Sequence, residues 1–215
     1  MRSLRYVLVL LCLFFSVSVF AQEDGEDAPL ETDWSGYLPS LYSRGDQIFN
    51  MHLGLGFPLF YADSEKGVLS TKMNLGGMAA LSYSYFLNSH WFLGGELSGA
   101  FFSTEGKNNY FIVPMGFKAG YQFIFRRLEF PVSLLVGFAP QQRLGGSYFG
   151  LFAKPTVSAF FRFNPDWSFG INTSFWWVPQ WTGVRDEPDV AAPHSGKISI
   201  HGFFLEASIG VRYHF

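Results

Sequence analysis

Three things are scarce in this chain, and each scarcity excludes something. Cysteine occurs once, as Cys12. It lies in a leader-like segment, residues 1–21, where Arg2 and Arg5 precede a short apolar run and Val19-Phe20-Ala21 ends on a small residue. That pattern fits a signal peptide cleaved before Gln22. The processed chain then has no thiol, so a disulfide framework and cysteine chemistry are excluded. Leu10 and Leu11 before Cys12 also fit a lipid-attachment site poorly. Charge is the second scarcity: Asp, Glu, Lys and Arg make up 15% of the residues, against about 25% in soluble domains. Much of the surface need not face water. A net charge of −2 gives no electrostatic reason to expect a nucleic-acid partner. The third is any long apolar run after the leader. No later stretch reaches roughly eighteen uninterrupted apolar residues, so no later helix is expected to cross a membrane.

Aromatic residues are abundant instead, at 20% with 26 Phe. They fall into a pattern that is clearest at the end of the chain, residues 197–215. Every second residue back from Phe215 gives Tyr213, Val211, Ile209, Ala207, Leu205 and Phe203, none charged. The interleaved set, His214, Arg212, Gly210, Ser208, Glu206, Phe204 and Gly202, carries the charges and most of the small residues. Successive side chains of a strand point to opposite faces, so this segment has one apolar face and one small, polar face. It is also longer than the roughly 9–11 residues that a tilted strand needs to cross a bilayer core.

Seven more segments repeat the pattern, at residues 47–59, 72–86, 91–102, 110–125, 130–138, 149–163 and 167–178. In the fifth, for example, Phe130, Val132, Leu134, Val136 and Phe138 share one face. The joins between segments alternate in length. Asn88-Ser89-His90, Arg126-Arg127-Leu128 and Asn164-Pro165-Asp166 have the composition of tight turns, whereas residues 61–71, 103–109, 140–148 and 179–196 are longer. An even strand count with alternating short and long joins is expected of a membrane-spanning barrel. Ahead of it, residues 22–45 begin acidic, lack any period, and are expected to be a mostly disordered tail. Residues 34–42 are expected at the barrel rim.

A soluble eight-stranded barrel is the structural rival. It would turn the aromatic face inward and the other face to water. That other face is rich in Gly, Ser and Ala, and its charges are few: Glu96, Lys118, Lys154, Arg162, Glu206 and Arg212. This is too sparse for a solvated exterior and suits a narrow interior. The six are therefore expected to form a polar cluster in the lumen, with Glu96 paired to Lys118, because buried charges must pair. Aromatics near the tight-turn ends, including Tyr83, Phe123, Phe163 and Tyr213, suit one interfacial girdle. Phe149, Trp176, Trp177 and Trp181 are candidates for the other.

The expected fold is thus all-β, a closed antiparallel eight-stranded transmembrane β-barrel over residues 46–215. Alternation ending on Phe215 resembles the closing strand of bacterial outer-membrane β-barrel proteins. That resemblance implies an assembly signal at Phe215, Tyr213 and Val211, read by the outer-membrane assembly machinery, with outer-membrane lipid around the wall and both termini in the periplasm. In size the chain is similar to barrels of the OmpW, OmpX and OmpA-transmembrane type. The segment Val113-Pro114-Met115-Gly116-Phe117-Lys118-Ala119-Gly120-Tyr121 also resembles OmpW-like barrels of spirochaetes, treponemes in particular. The OmpW likeness implies passage of small hydrophobic solutes, and Pro114 and Pro155 would loosen the wall for a side opening. The OmpX likeness implies loops that bind a host surface ligand. A lipid-modifying enzyme is the third class, but no His-x-Ser motif occurs. The Asp186, Glu187, Asp189, His194 and Ser195 group lacks the spacing of a triad or a metal site. No catalytic residue, metal or cofactor is expected.

Overall fold

A computed structural model describes residues 41–63, 67–104, 109–143, 146–180 and 200–215. The segment expected to be a leader, most of the acidic stretch, Trp181 and residues 186–195 of the last long join lie outside them.

The described residues contain ten strand segments: β1 (Gln47–Asp63), β2 (Gly67–Leu69), β3 (Gly76–Phe86), β4 (Trp91–Ser103), β5 (Asn109–Ile112), β6 (Met115–Phe125), β7 (Leu128–Arg143), β8 (Gly146–Arg162), β9 (Trp167–Gln180) and β10 (Ile200–His214). They make eight staves. The short β2 only folds back on the end of β1. β5 and β6 are two parts of one stave, both lying between β4 and β7. All neighbours are antiparallel, and β1 pairs with β10 from Ile48↔His214 to Asp63↔Ile200. The sheet therefore closes on itself and leaves no edge in the wall, which a lipid-exposed sheet requires.

The tight joins are built by side chains that the turns demand. Asn88 Oδ1 accepts the amides of His90 at 2.9 Å and Trp91 at 2.8 Å. Asn164 Oδ1 does the same for Asp166 at 3.0 Å and Trp167 at 2.8 Å. Both replace a backbone turn by an Asx turn. At the third join Phe125 pairs with Leu128, and Arg126 takes a positive φ of 55° to close the two-residue loop.

Side chains sort by parity as expected. Leu53, Ile171 and Ile209 are among the most exposed apolar residues, at 64%, 60% and 71%, and they sit side by side on adjacent staves, since Leu53 pairs with Ile209 and Ile209 with Ile171. Their alternates Asn172 and Ser208 are buried. Isolated exposed apolar residues are ordinary on a soluble protein, but a continuous apolar outer wall is not. The outer wall is a lipid surface. Edge-to-face rings such as Trp91 on Tyr121 and Tyr213 on Phe215 band its tight-turn end, the depth of an aromatic girdle.

Several boundaries differ from the sequence expectation. β3 begins at Gly76 rather than residue 72, because Lys72 takes a positive φ of 48° and Met73 makes only an isolated bridge to Thr104. β7 continues past Pro140, whose carbonyl accepts Val113 N at 2.9 Å. The stave of residues 110–125 is interrupted at Val113 and Pro114.

Glycines on the inner face make room for rings. Gly56 and Gly76 are cross-strand partners, and a Cβ on Gly56 would lie 2.8 Å from Phe102 Cζ. A Cβ on Gly76 would strike both the Phe101 carbonyl oxygen and the Phe102 ring. Gly76→Ala is therefore expected to destabilise by about 1–3 kcal/mol through overpacking, read as a lower urea midpoint. Gly77→Ala on the outer face, where a Cβ meets nothing, is expected to leave the midpoint unchanged.

Candidate functional site

Among the described residues, ionic side chains come together in the lumen, and they are layered. At mid-barrel, Lys154 from β8 reaches across to two carboxylates. Its Nζ lies 2.7 Å from Glu96 Oε1 on β4 and 2.8 Å from Glu206 Oε2 on β10. Lys118 on β6 reaches Glu96 Oε2 at 3.0 Å, and His52 Nε2 lies 3.2 Å from Glu206 Oε1. The remaining acceptor capacity is used as well. Ser98 donates to Glu96 at 2.9 Å, while Trp176 Nε1 and Ser208 donate to Glu206 at 2.9 and 3.0 Å. The Trp176 ring also faces the Lys154 ammonium, 5.1 Å from its centroid. Charges in such a place are held only by this degree of pairing.

A second group lies at the tight-turn end. Glu129 on β7 is approached by Arg162 and Arg212, each at 3.6 Å. Arg162 Nη2 also donates to the Pro165 carbonyl at 2.8 Å, and the Arg212 guanidinium stacks 3.7 Å from the Phe160 centroid. The six expected lumen residues are therefore not one cluster. Glu96, Lys118, Lys154 and Glu206 form one, and Arg162 and Arg212 belong to another, organised by Glu129.

Tyr42 closes that end. It precedes the first strand, yet it is only 3% exposed. Its ring stacks on Phe86 with centroids 4.0 Å apart. Its hydroxyl donates to Glu129 Oε1 at 2.8 Å and lies 3.1 Å from His214 Nδ1. Burial, and then the Glu129 charge, push its pKa well above the usual phenol value, so the group stays neutral. Residues 34–42 were expected at the barrel rim, and Tyr42, the last of them, is seated in the barrel mouth. Tyr42→Phe is expected to cost about 1–3 kcal/mol, since Glu129 and His214 lose a buried partner. Urea titration of the reconstituted protein measures it.

On the other side of mid-barrel the interior is apolar. Phe102, Tyr110, Ile112, Phe152, Trp176 and Phe204 pack together there. Trp176 thus belongs to the core and not to an outer girdle. Adjacent residues of a strand cannot share a face, and Trp177 and Phe149 take the outward positions at 39% and 66% exposure. A small cavity of mixed polar and apolar lining, about 10 Å³ in volume, is bordered by Lys118 of one ionic group and Arg212 of the other.

One contact has the elements of nucleophile activation. Ser168 Oγ lies 2.6 Å from His214 Nε2. However, the other ring nitrogen faces the Tyr42 hydroxyl rather than a carboxylate, and Ser168 is wholly buried. An acyl group has no approach to that oxygen in this arrangement. Of the proposed assembly signal, Val211 and Tyr213 are half-buried on the outer wall and Phe215 is 66% exposed.

Glu129, His52 and His214 were not anticipated as site residues, and Tyr42 was expected at the rim but without these partners. Glu129 had a usable signal, since it alternates with the outward Phe130, but it lies beside a turn where the alternation was not extended.

The chain is similar to known proteins in sequence and in fold. A protein-family profile matches residues 25–213. An uncharacterised protein of Treponema pallidum (strain Nichols) is 30% identical over 181 residues, 80% of this chain and 78% of its own length. A second uncharacterised protein of that organism is 26% identical over 144 residues, and the match spans about half of it, 48%. Among solved structures, Neisserial surface protein A superposes with a TM-score of 0.52 at 12% identity, covering 80% of this chain and 97% of that one. The chain therefore belongs to the family of the 30%-identical Treponema pallidum protein, and its fold is that of a small, closed, eight-stranded outer-membrane β-barrel.

Proposed function

We propose that this protein acts as a sealed outer-membrane anchor that presents its long connections to partners outside the cell, and that it is not an axial pore. One observation carries the reading. The lumen is crossed by a fully paired ionic layer and, above it, by packed aromatic rings. Eight strands leave an interior just wide enough for side chains, and here side chains fill it. Position along the strands supports termini in the periplasm. Phe215 N donates to Gln47 O at 3.0 Å, so the last residue sits beside the start of β1 at the tight-turn end, and short turns face the periplasm in this class.

Reconstitution tests it. No single-channel conductance and no liposome swelling are expected, together with binding of intact cells or vesicles to a host surface ligand that is lost when residues 181–196 are removed. Steady ion conductance through the wild type would contradict the proposal.

A second reading, the passage of small hydrophobic solutes through the side of the barrel, has an observation of its own. The strand break at Val113 and Pro114 borders the apolar layer, and an outer depression of about 400 Å³ lies there, lined by Gly77, Gly99, Phe101, Phe111 and Val113. The ladder is nevertheless still bonded on both sides. Ser98 N donates to Pro114 O at 2.8 Å and Val113 N to Pro140 O at 2.9 Å. Faster entry of a small apolar dye into proteoliposomes than into protein-free vesicles would favour this route.

A further inference from the structure

The cavity between the two ionic groups has an unbalanced environment. The buried charged side chains among the described residues are Lys118, Lys154, Arg162 and Arg212 against Glu96, Glu129 and Glu206. Counting lysine, arginine and glutamate side chains alone, one positive charge is in excess. The mid-barrel group is balanced, with Lys118 and Lys154 against Glu96 and Glu206. The excess lies in the other group, where two arginines share Glu129 at 3.6 Å, beyond good hydrogen-bond length. Tyr42 supplies no charge, because its hydroxyl stays neutral.

The cavity lies against that excess. Asn50, Ser82, Lys118, Gln122, Ser158 and Arg212 line it. Three of these have a buried atom without a protein partner: Asn50 Oδ1, Gln122 Nε2 and Arg212 Nε. Gln122 is 1% exposed and Arg212 is 5%. Gln122 accepts from Arg212 Nη1 at 3.4 Å, which holds both side chains at the cavity. Two of the three are donors, Gln122 Nε2 and Arg212 Nε; the Asn50 NH₂ already faces His52 Nδ1 and Ser82 Oγ, each at 3.5 Å.

We propose that this cavity binds one small monovalent anion of the size of chloride, held by Arg212, Gln122 and Lys118. Unpaired donors and an uncompensated charge are each costly away from water. A water molecule would satisfy the donors only; an anion satisfies both. Size restricts the class. At about 10 Å³ the cavity has room for one small species; a halide enters with a slight outward shift of the Arg212 and Gln122 side chains, whereas phosphate, sulfate and carboxylates are excluded. The ion would close the lumen's charge balance. This inference is independent of whether the barrel presents loops or passes solutes.

Bromide is the probe. The full processed protein is crystallised from detergent in sodium bromide, and anomalous scattering is recorded at the bromine edge. One peak is expected inside the lumen, within hydrogen-bond distance of Arg212 and Gln122. No lumen peak, or surface peaks alone from an adventitious ion only, overturns the proposal. In solution, the urea midpoint of the reconstituted protein is expected to rise saturably with sodium chloride relative to sodium gluconate at equal ionic strength. Gln122→Leu is expected to weaken that halide dependence at least roughly tenfold. Urea is used because guanidinium chloride supplies the ion under test. Identical wild-type midpoints in the two salts overturn the proposal whether or not the variant folds.

Discussion

Lys154→Met is expected to lower the unfolding free energy by about 3–5 kcal/mol, the loss typical when one partner of a buried ion pair is removed. The methionine fills a similar volume, so the cost is not a cavity. It arises because Glu96 and Glu206, 5% and 0% exposed, lose the ammonium that lies 2.7 and 2.8 Å from them. Lys118 still partners Glu96 at 3.0 Å, whereas Glu206 keeps only neutral donors and His52. Adding Glu206→Gln to Lys154→Met should therefore restore part of the loss, because the orphaned charge is gone. Urea unfolding in zwitterionic vesicles gives both numbers. A cost below about 1 kcal/mol would place the pair in the range of solvated ion pairs. It would mean that water fills the lumen, and the sealed-anchor reading would fail with it.

Ile209→Arg is expected to cost about 2–4 kcal/mol, and Phe163→Arg about 0–1 kcal/mol, as for basic residues at the bilayer midplane and near its interface. Ile209 is 71% exposed and lies in the belt it forms with Leu53 and Ile171. Phe163, 52% exposed, sits just past the end of β8 at the tight-turn end. Neither side chain is packed in a core, so on a water-facing surface both substitutions would be nearly neutral. The difference between them reports depth in lipid.

Much of this fold could be read from the chain because a period of two is a local property. Once Phe215 is known to face outward, the facing of Leu205 and Glu206 follows without knowledge of any other strand. The same logic placed Lys118, Lys154 and Arg212 inside. What it could not supply is depth along the axis. Parity assigns a side chain to the lumen but not to a layer, so the division between the Glu96 and Glu129 groups was not legible. That division depends on the register between staves. Trp176 illustrates a different limit. Between the outward-facing Phe175 and Trp177 its inward direction was available from parity, but the expectation that tryptophan belongs at an interface prevailed. The Glu206 carboxylate, 2.9 Å from its indole nitrogen, provides the partner a buried tryptophan needs. Tyr42 lies outside any periodic segment, and its place depends on Phe86, Glu129 and His214, residues 44, 87 and 172 positions away. No local pattern encodes such a contact.

The most direct measurement uses the scarcity of cysteine. Without residues 1–21 the chain has none, so single cysteines at Leu53, Val132, Ile209 and Ser208 can each carry a nitroxide in the reconstituted protein. At Leu53, Val132 and Ile209 the spin label is expected to collide with molecular oxygen dissolved in the bilayer and to be shielded from a water-soluble nickel chelate. At Ser208 it is expected to be shielded from both. Strong nickel access at Leu53, Val132 and Ile209 would place the aromatic wall in water and contradict the account.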